Sequence, residues 1–437
     1  MKSPFFRHSL LLFLALRCGD AVSIAAGLWF VPKFVSPEEI GAVLPLTSFA
    51  TFLSLPLFAL AMTAMKESAH LAAADERGKV KSLLRGVFVS VAIMIALGLA
   101  ATTLAIPRFL SAMGVSQGNV AGLLAVAAAF LGCAAPVYTD ALQALKRFRS
   151  LGAIEAGGSI MRFAVMYVAM PFNALAGYFA GAASLPAFRI ACGLFALRRD
   201  LAVKADPYWT RPTVRRFATS FCAVLAYQAV PMFAALVEQS VLRTSLSTLD
   251  SAGYYMASRF SDFLYYVTTP LLLVVFPYAA YTAQKGNDTR PFVVKCCIVT
   301  LSVAAAMTAT YLFWGEAFIS LMPNGVNYAD YAQYMPYLTL ITALTSCQVF
   351  YTNVEVSAGR FGFLSWLIPL HLAYPLLLWR FPPDSLPVFI VWMAAASILR
   401  FTFSAVSIAT TKPIARISAS KGSWWDDEES PSKGVLD

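Results

Sequence analysis

The sequence predicts an all-α integral membrane protein of about 12 transmembrane helices, in two six-helix bundles related by a pseudo-two-fold axis along the membrane normal. Three observations carry that expectation. Of 437 residues, 59% are apolar and only 13% charged, about half the charge of an ordinary soluble domain. Apolar runs long enough to cross about 30 Å of hydrocarbon recur from end to end. The basic residues, finally, fall in alternate connections. Nothing is left over for a water-soluble core, which excludes a soluble enzyme.

Taken in order, the spans are expected near residues 9–32, 40–62, 86–107, 119–143, 152–170 and 173–197, then 217–241, 253–277, 293–314, 334–356, 361–380 and 387–410. The shortest connection is the Pro171-Phe172-Asn173 turn between the fifth and sixth. Residues 1–200 form the first bundle, 201–216 a basic cytoplasmic linker, 217–411 the second bundle and 412–437 a disordered cytoplasmic tail, polar and without helical period.

Loops left in the cytoplasm carry an excess of Lys and Arg. With the amino terminus inside, the cytoplasmic connections and termini hold 24 of the 33 basic residues, whereas the outer connections hold four: Lys33, Arg108, Arg243 and Arg380. Both termini are therefore expected in the cytoplasm. The formal charge of +10 follows from this topology and needs no nucleic-acid partner. The rival reading of the opening segment as a cleaved signal peptide fails at Arg17 and Asp20, which interrupt its apolar region. All seven cysteines lie within spans, and Cys296 and Cys297 are adjacent, so neither a disulfide framework nor a zinc spacing is present.

The stretch SPEEIG, ending at Gly41, resembles LDSAG, ending at Gly253, an offset of 212 residues. Both open a long apolar helix that carries a proline, Pro56 and Pro270, and runs into a basic loop. An even number of spans per half brings both halves in from the same side. Pro45, Pro136, Pro186, Pro231 and Pro369 also fall inside spans, where each removes a backbone hydrogen bond.

A charge at a span centre costs roughly 2.5 to 3.5 kcal/mol on insertion scales, so such residues face a partner or water. Arg17, Asp20, Arg162, Arg189, Arg259, Asp262, His371 and Arg400 lie well inside the spans. Asp140, Glu155, Glu238 and Glu355 lie nearer the ends, where an interfacial position is expected. Arg17 and Asp20 are three apart, as are Arg259 and Asp262, so each pair shares a helix face. Five arginines against two aspartates leave an excess of positive charge. Converging between the halves, those faces would line a cationic hollow suited to an anion, phosphate above all. No metal site and no cofactor is implied. A Walker loop, an HExxH motif and a GxSxG elbow are all missing, and the connections are too short for a soluble catalytic surface, so the chain reads as no enzyme.

Twelve spans in two halves, the segment FVSPEEIGAVLPLTSFATFLSLP and the segment SAGYYMASRFSDFLYYVTTPLLLVVFPY resemble the Wzx-type polysaccharide (O-antigen) flippases. These belong to the superfamily that also holds multidrug extrusion transporters and lipid II flippases. The resemblance covers nearly the whole chain. It implies a multi-pass protein of the bacterial cytoplasmic (inner) membrane that moves a polyprenyl-diphosphate-linked oligosaccharide between leaflets by alternating access. Its partners would be that lipid-linked substrate, membrane lipids and other polysaccharide-assembly membrane proteins. Arg17, Asp20 and Arg259 occupy helices comparable to those that line the cavity in lipid II flippases. The additional expectation is coupling to a proton or sodium gradient through Asp20 or Asp262. Two rivals are a multidrug or cation extruder of the same superfamily, which would favour acidic deep charges, and a membrane glycan polymerase or ligase, which would need a large external loop.

Overall fold

The computed structural model describes residues 19, 21–22, 24, 26–73, 76–113, 119–144, 147–198, 202, 204–266, 268, 271, 289–357 and 362–410. All secondary structure among them is helical. A π-helical turn, Ala26–Phe30, and α1 (Val31–Phe34) end the first span. Then follow α2 (Pro37–Leu53), α3 (Leu55–Ala73), α4 (Arg77–Ala112), α5 (Asn119–Ala144), α6 (Phe148–Ala169) and α7 (Ala174–Leu197). The second half comprises α8 (Arg211–Ser245), α9 (Thr248–Ser261), α10 (Arg290–Ser320), a 3-10 segment Gly325–Tyr334, α11 (Met335–Ser357), α12 (Leu364–Arg380) and α13 (Leu386–Thr410). The chain is a multi-pass membrane protein: among the described residues seven helices are long and apolar enough to cross a bilayer, or eight when the bent α2–α3 pair counts as one span.

Where residues are described, these helices follow the expected spans in order, and several overrun them; most of the first expected span and of the second half of the eighth lie outside the described residues. Helix propagation is cheap once begun, so α4 starts at Arg77, nine residues before its expected span, and α8 at Arg211, six before, both within basic sequence. Thr210 and Thr213 cap α8 reciprocally and Pro212 fits its first turn, which shortens the linker from its carboxyl end. At the tight 171–173 turn the Asn173 side chain accepts the Ala176 N–H at 2.9 Å and starts α7.

The prolines act differently from one another. Pro45, Pro136, Pro186, Pro231 and Pro369 lie inside continuous helices, so the expected interruptions do not form there. The break comes at Ser54, two residues before Pro56, and bends α3 by 58° from α2. Pro56 disfavours helix at the residue before it and cannot donate to the Phe52 carbonyl four residues back; at the break the Ser54 hydroxyl donates to the Thr51 carbonyl at 2.8 Å. Pro270 lies outside the described residues.

The repeat is visible as two capped helices. Ser36 accepts the Glu39 N–H at 3.3 Å while the Glu39 carboxylate accepts the Ser36 N–H at 3.0 Å. Ser247 accepts the Asp250 N–H at 3.0 Å and donates its hydroxyl to the Asp250 carboxylate at 2.7 Å. Cap to cap the offset is 211 residues, so the counterpart of Gly41 is Ala252 rather than Gly253. The two copies pack on each other: a Cβ on Gly41 would lie 3.1 Å from Ser251 Cβ, closer than ordinary contact. Through this crossing α2 packs on α8 and α9, and α3 on α8, joining the halves. Within the first half α5 is central, half of its apolar window being buried, whereas only 6% of the window of α8 is.

Two further contacts tie the halves together. The Arg243 Nε–H donates to the Met113 carbonyl at 3.3 Å, and Asn324, in the left-handed conformation at φ 59°, donates its amide to the Pro32 carbonyl at 2.8 Å.

Candidate functional site

The deep charges form three groups. In the first, α9 presents Arg259 and Asp262 one turn apart, with 3.1 Å between guanidinium and carboxylate. The guanidinium also lies over the Tyr255 ring, 4.8 Å from its centre. Asp262 sits where α9 ends, and the Phe260 carbonyl near that break accepts the Tyr311 hydroxyl at 3.0 Å. Tyr178, from α7 of the first half, stands beside Tyr255 and Arg259, so this group lies where the halves meet. Two charges and two faces do not exhaust the arginine: its buried Nε has no hydrogen-bond partner.

The second group belongs to α6 and α7. Arg189 is ion-paired with Glu155, and Glu155 is buried rather than interfacial. One turn further along α6, the Ser159 hydroxyl donates to the Glu155 carbonyl at 3.2 Å. A Cβ on Gly19 would lie 2.5 Å from that hydroxyl, which places the first span against α6 at this level. Arg17 and Asp20 themselves lie outside the described residues. Arg162, two turns beyond Glu155, has no ion pair among the described residues. Its backbone carbonyl abuts Gly181, three residues past Tyr178 on α7, so Arg162 lies close in depth to the first group. The buried Nε atoms of Arg162 and Arg189 also lack partners. Each is a buried donor with no acceptor among the described residues, an arrangement that costs free energy unless another acceptor arrives.

In the third group, Arg400 on α13 donates from Nε to the Ala396 carbonyl at 3.1 Å and lies 3.3 Å from His371 Nε2 on α12. The buried His371 ring meets the Leu367 carbonyl through Nδ1 at 3.1 Å, the tautomer that leaves Nε2 free to accept from Arg400. Glu238 on α8 faces Arg400 and Tyr374 without an ion pair, and takes a hydrogen bond from Gln239 at 3.3 Å. The Tyr374 hydroxyl stands beside Glu238 without closing a bond to it. Glu238 is expected near the interface from its distance to the span end, and the fold sets it beside Arg400. The signal was present, since Glu238 lies inside the apolar window 217–241. Glu355 is likewise buried, and the Asp140 side chain lies outside the described residues. Among the described residues no group of three or more His, Cys, Asp or Glu is placed to hold a metal ion.

The arrangement of long helices in two joined halves is the two-lobed fold seen in solved structures of MOP superfamily transporters. The chain is similar to a MATE transporter in its straight conformation, with TM-score 0.66 and 14% identity over 92% of this chain and 95% of that one. It is similar to the lipid II flippase MurJ in an inward closed conformation, with TM-score 0.64 and 12% identity over 93% and 88%. A MOP superfamily transporter from Pyrococcus furiosus, whose binding pocket has reverse polarity, aligns with TM-score 0.63 and 14% identity over 92% and 95%. No protein-family model and no curated protein sequence matches the chain.

Proposed function

We propose that this protein is a flippase that carries a polyprenyl-diphosphate-linked oligosaccharide across the bacterial cytoplasmic membrane by alternating access. One observation carries the reading: among the described residues at bilayer depth the guanidinium groups outnumber the carboxylates that pair with them, and Arg162, Arg189 and Arg259 each keep a buried Nε without an acceptor. A diphosphate supplies acceptor oxygens in the geometry that guanidinium matches best. The polyprenyl tail needs no protein cavity, since it stays in lipid. The fold shared with a lipid II flippase supports a lipid-linked cargo. In this mechanism no bond is made or broken. The halves rock about their common seam, the headgroup crosses shielded from hydrocarbon, and Asp20 or Asp262 exchanges a proton or sodium ion as the anion leaves.

The test is reconstitution in proteoliposomes with a polyprenyl-diphosphate-linked oligosaccharide and a probe that reacts only with outward-facing sugar. Arg162→Gln and Arg259→Gln should each slow flipping about tenfold or more, while Arg85→Gln, in the exposed cytoplasmic part of α4, should not. Equal rates in all three would end the reading. Glu238 favours the second reading, extrusion of an organic cation, because it is an acid at depth without an ion pair. Efflux of a cationic dye that stops in Glu238→Gln, with no flipping of the lipid, would establish it instead.

A further inference from the structure

The linker between the halves does not hang free. Residues 204–210 run along the cytoplasmic ends of α3 and α4 as an extended strap, joined to them at three points. The Asp206 N–H donates to the Gly78 carbonyl at 3.1 Å, and the Trp209 indole N–H donates to the Ser82 carbonyl at 3.1 Å. The third point is the Tyr208 hydroxyl, which donates to the Glu67 carboxylate at 3.0 Å. Gly78 and Gly86 make the bed. A Cβ on Gly78 would collide with the Asp206 carboxylate at 2.0 Å, and one on Gly86 with the Trp209 ring at 2.4 Å.

Glu67 is the fixed point. Its side chain is 5% exposed, and the same oxygen that accepts from Tyr208 also accepts from Arg216 of α8 at 2.5 Å. Tyr208 is itself 2% exposed. Burial and the neighbouring carboxylate push the Tyr208 hydroxyl up to about 12, so it remains a neutral donor across the physiological range. One carboxylate in the first half thus binds both the linker and the first helix of the second half. A buried carboxylate stripped of its donors is costly, which makes the three groups a unit that is either closed or open.

We propose that Glu67, Tyr208 and Arg216 form a cytoplasmic clasp that holds the α3–α8 seam shut, and that its release is an obligatory step of the transport cycle. Substrate identity does not enter; only a cycle in which the halves move is required. Opening the seam withdraws Arg216 and the strap together, so the linker reports and restrains the position of the second half.

Two measurements on the full-length protein test this. Glu67→Gln and Tyr208→Phe should raise amide exchange in residues 205–209 about tenfold, the effect of losing one hydrogen bond to a charged group, while exchange in α5 stays unchanged. Exchange at the wild-type rate in both variants overturns the clasp whatever the cargo proves to be. In proteoliposomes, a disulfide between cysteines introduced by Glu67→Cys and Arg216→Cys should arrest transport, and reductant should restore it. Full transport with the seam covalently shut overturns the obligatory release. If the reduced double variant is itself inactive, the exchange measurement alone decides the clasp, and spin labels at Arg85→Cys and Thr219→Cys decide the release: one fixed distance with and without substrate overturns it, two distances support it.

Discussion

Arg259 and Asp262 stand one turn apart at the end of α9, 3.1 Å between nitrogen and oxygen, and the helix breaks at the aspartate. The break and the pair are coupled. An aspartate at the end of α9 is poorly placed for the helix dipole, and the arginine one turn back compensates it. The pair is partly open, each side chain nearly 30% exposed, so the arginine can exchange its carboxylate for another anion.

Removing one partner should therefore separate folding from transport. Asp262→Asn is expected to lower stability by about 1 to 2 kcal/mol, less than for a fully buried pair. Arg259→Gln should do the same and also slow flipping about tenfold or more. In the double variant stability should recover, as a neutral pair replaces an ionic one, while flipping stays slow. Thermal unfolding in detergent and the proteoliposome assay read the two quantities independently, and a double variant that flips normally would refute a role for this arginine in binding.

Arg162 should behave in the opposite sense to Arg259. It has no ion pair among the described residues, and its buried Nε pays for desolvation without return. Arg162→Gln should leave the melting temperature unchanged or slightly raised while slowing transport about tenfold. A fall in stability of the size expected for Asp262→Asn would instead mark Arg162 as a structural residue.

His371 accepts from Arg400 only in the neutral form set by its contact with the Leu367 carbonyl. His371→Ala should cost about 1 to 3 kcal/mol, since it leaves a buried guanidinium donor unmet, and His371→Gln, which retains an acceptor, should cost less. Unfolding midpoints of the two variants give the comparison. Equal losses would show that volume, not the hydrogen bond, holds α12 to α13.

The clasp carries a pH signature. Because the Tyr208 hydroxyl is held above its ordinary value, near 12 rather than 10, the folded state retains that proton more tightly than the unfolded chain. Its contribution to stability is complete below about pH 10 and is lost as pH rises towards 12. The difference absorbance of tyrosinate between wild type and Tyr208→Phe should titrate near 12; titration near 10 would place Tyr208 in water.

The paired helix caps should contribute alike. Ser36→Ala and Ser247→Ala are each expected to lower stability by about 1 kcal/mol, because each removes an acceptor for an otherwise unmet N–H at the start of α2 or α9. Unfolding of the single and double variants would show whether the losses add, as they should if the two caps act independently.

The spans were legible because a bilayer permits few solutions: the backbone must satisfy itself, and about 20 apolar residues must do it. The same logic made the Arg259–Asp262 pair readable from its spacing. What could not be read is what depends on the third dimension. Glu155 and Glu238 sit near span ends in one dimension but against Arg189 and Arg400 in three. The prolines could not be ranked from the sequence: among the described residues Pro56 adjoins the 58° bend, whereas Pro45, Pro136, Pro186, Pro231 and Pro369 sit inside continuous helices. The linker read as a charged tether since its basic residues dominate its composition, whereas Tyr208, Trp209 and the cap at Thr210 decide how it docks.

The unpaired guanidinium of Arg162 has an electrical consequence. A salt-bridged pair that shifts through a membrane moves no net charge, whereas a lone cation is pulled by the resting voltage, at about 2.3 kcal/mol per 100 mV for a full crossing. Arg162 carries that lone charge among the described residues, so any rocking of its helix performs work with or against the inside-negative field. The diphosphate proposed as cargo would cancel the charge and reverse its sign, so that loaded and empty proteins would respond oppositely to voltage.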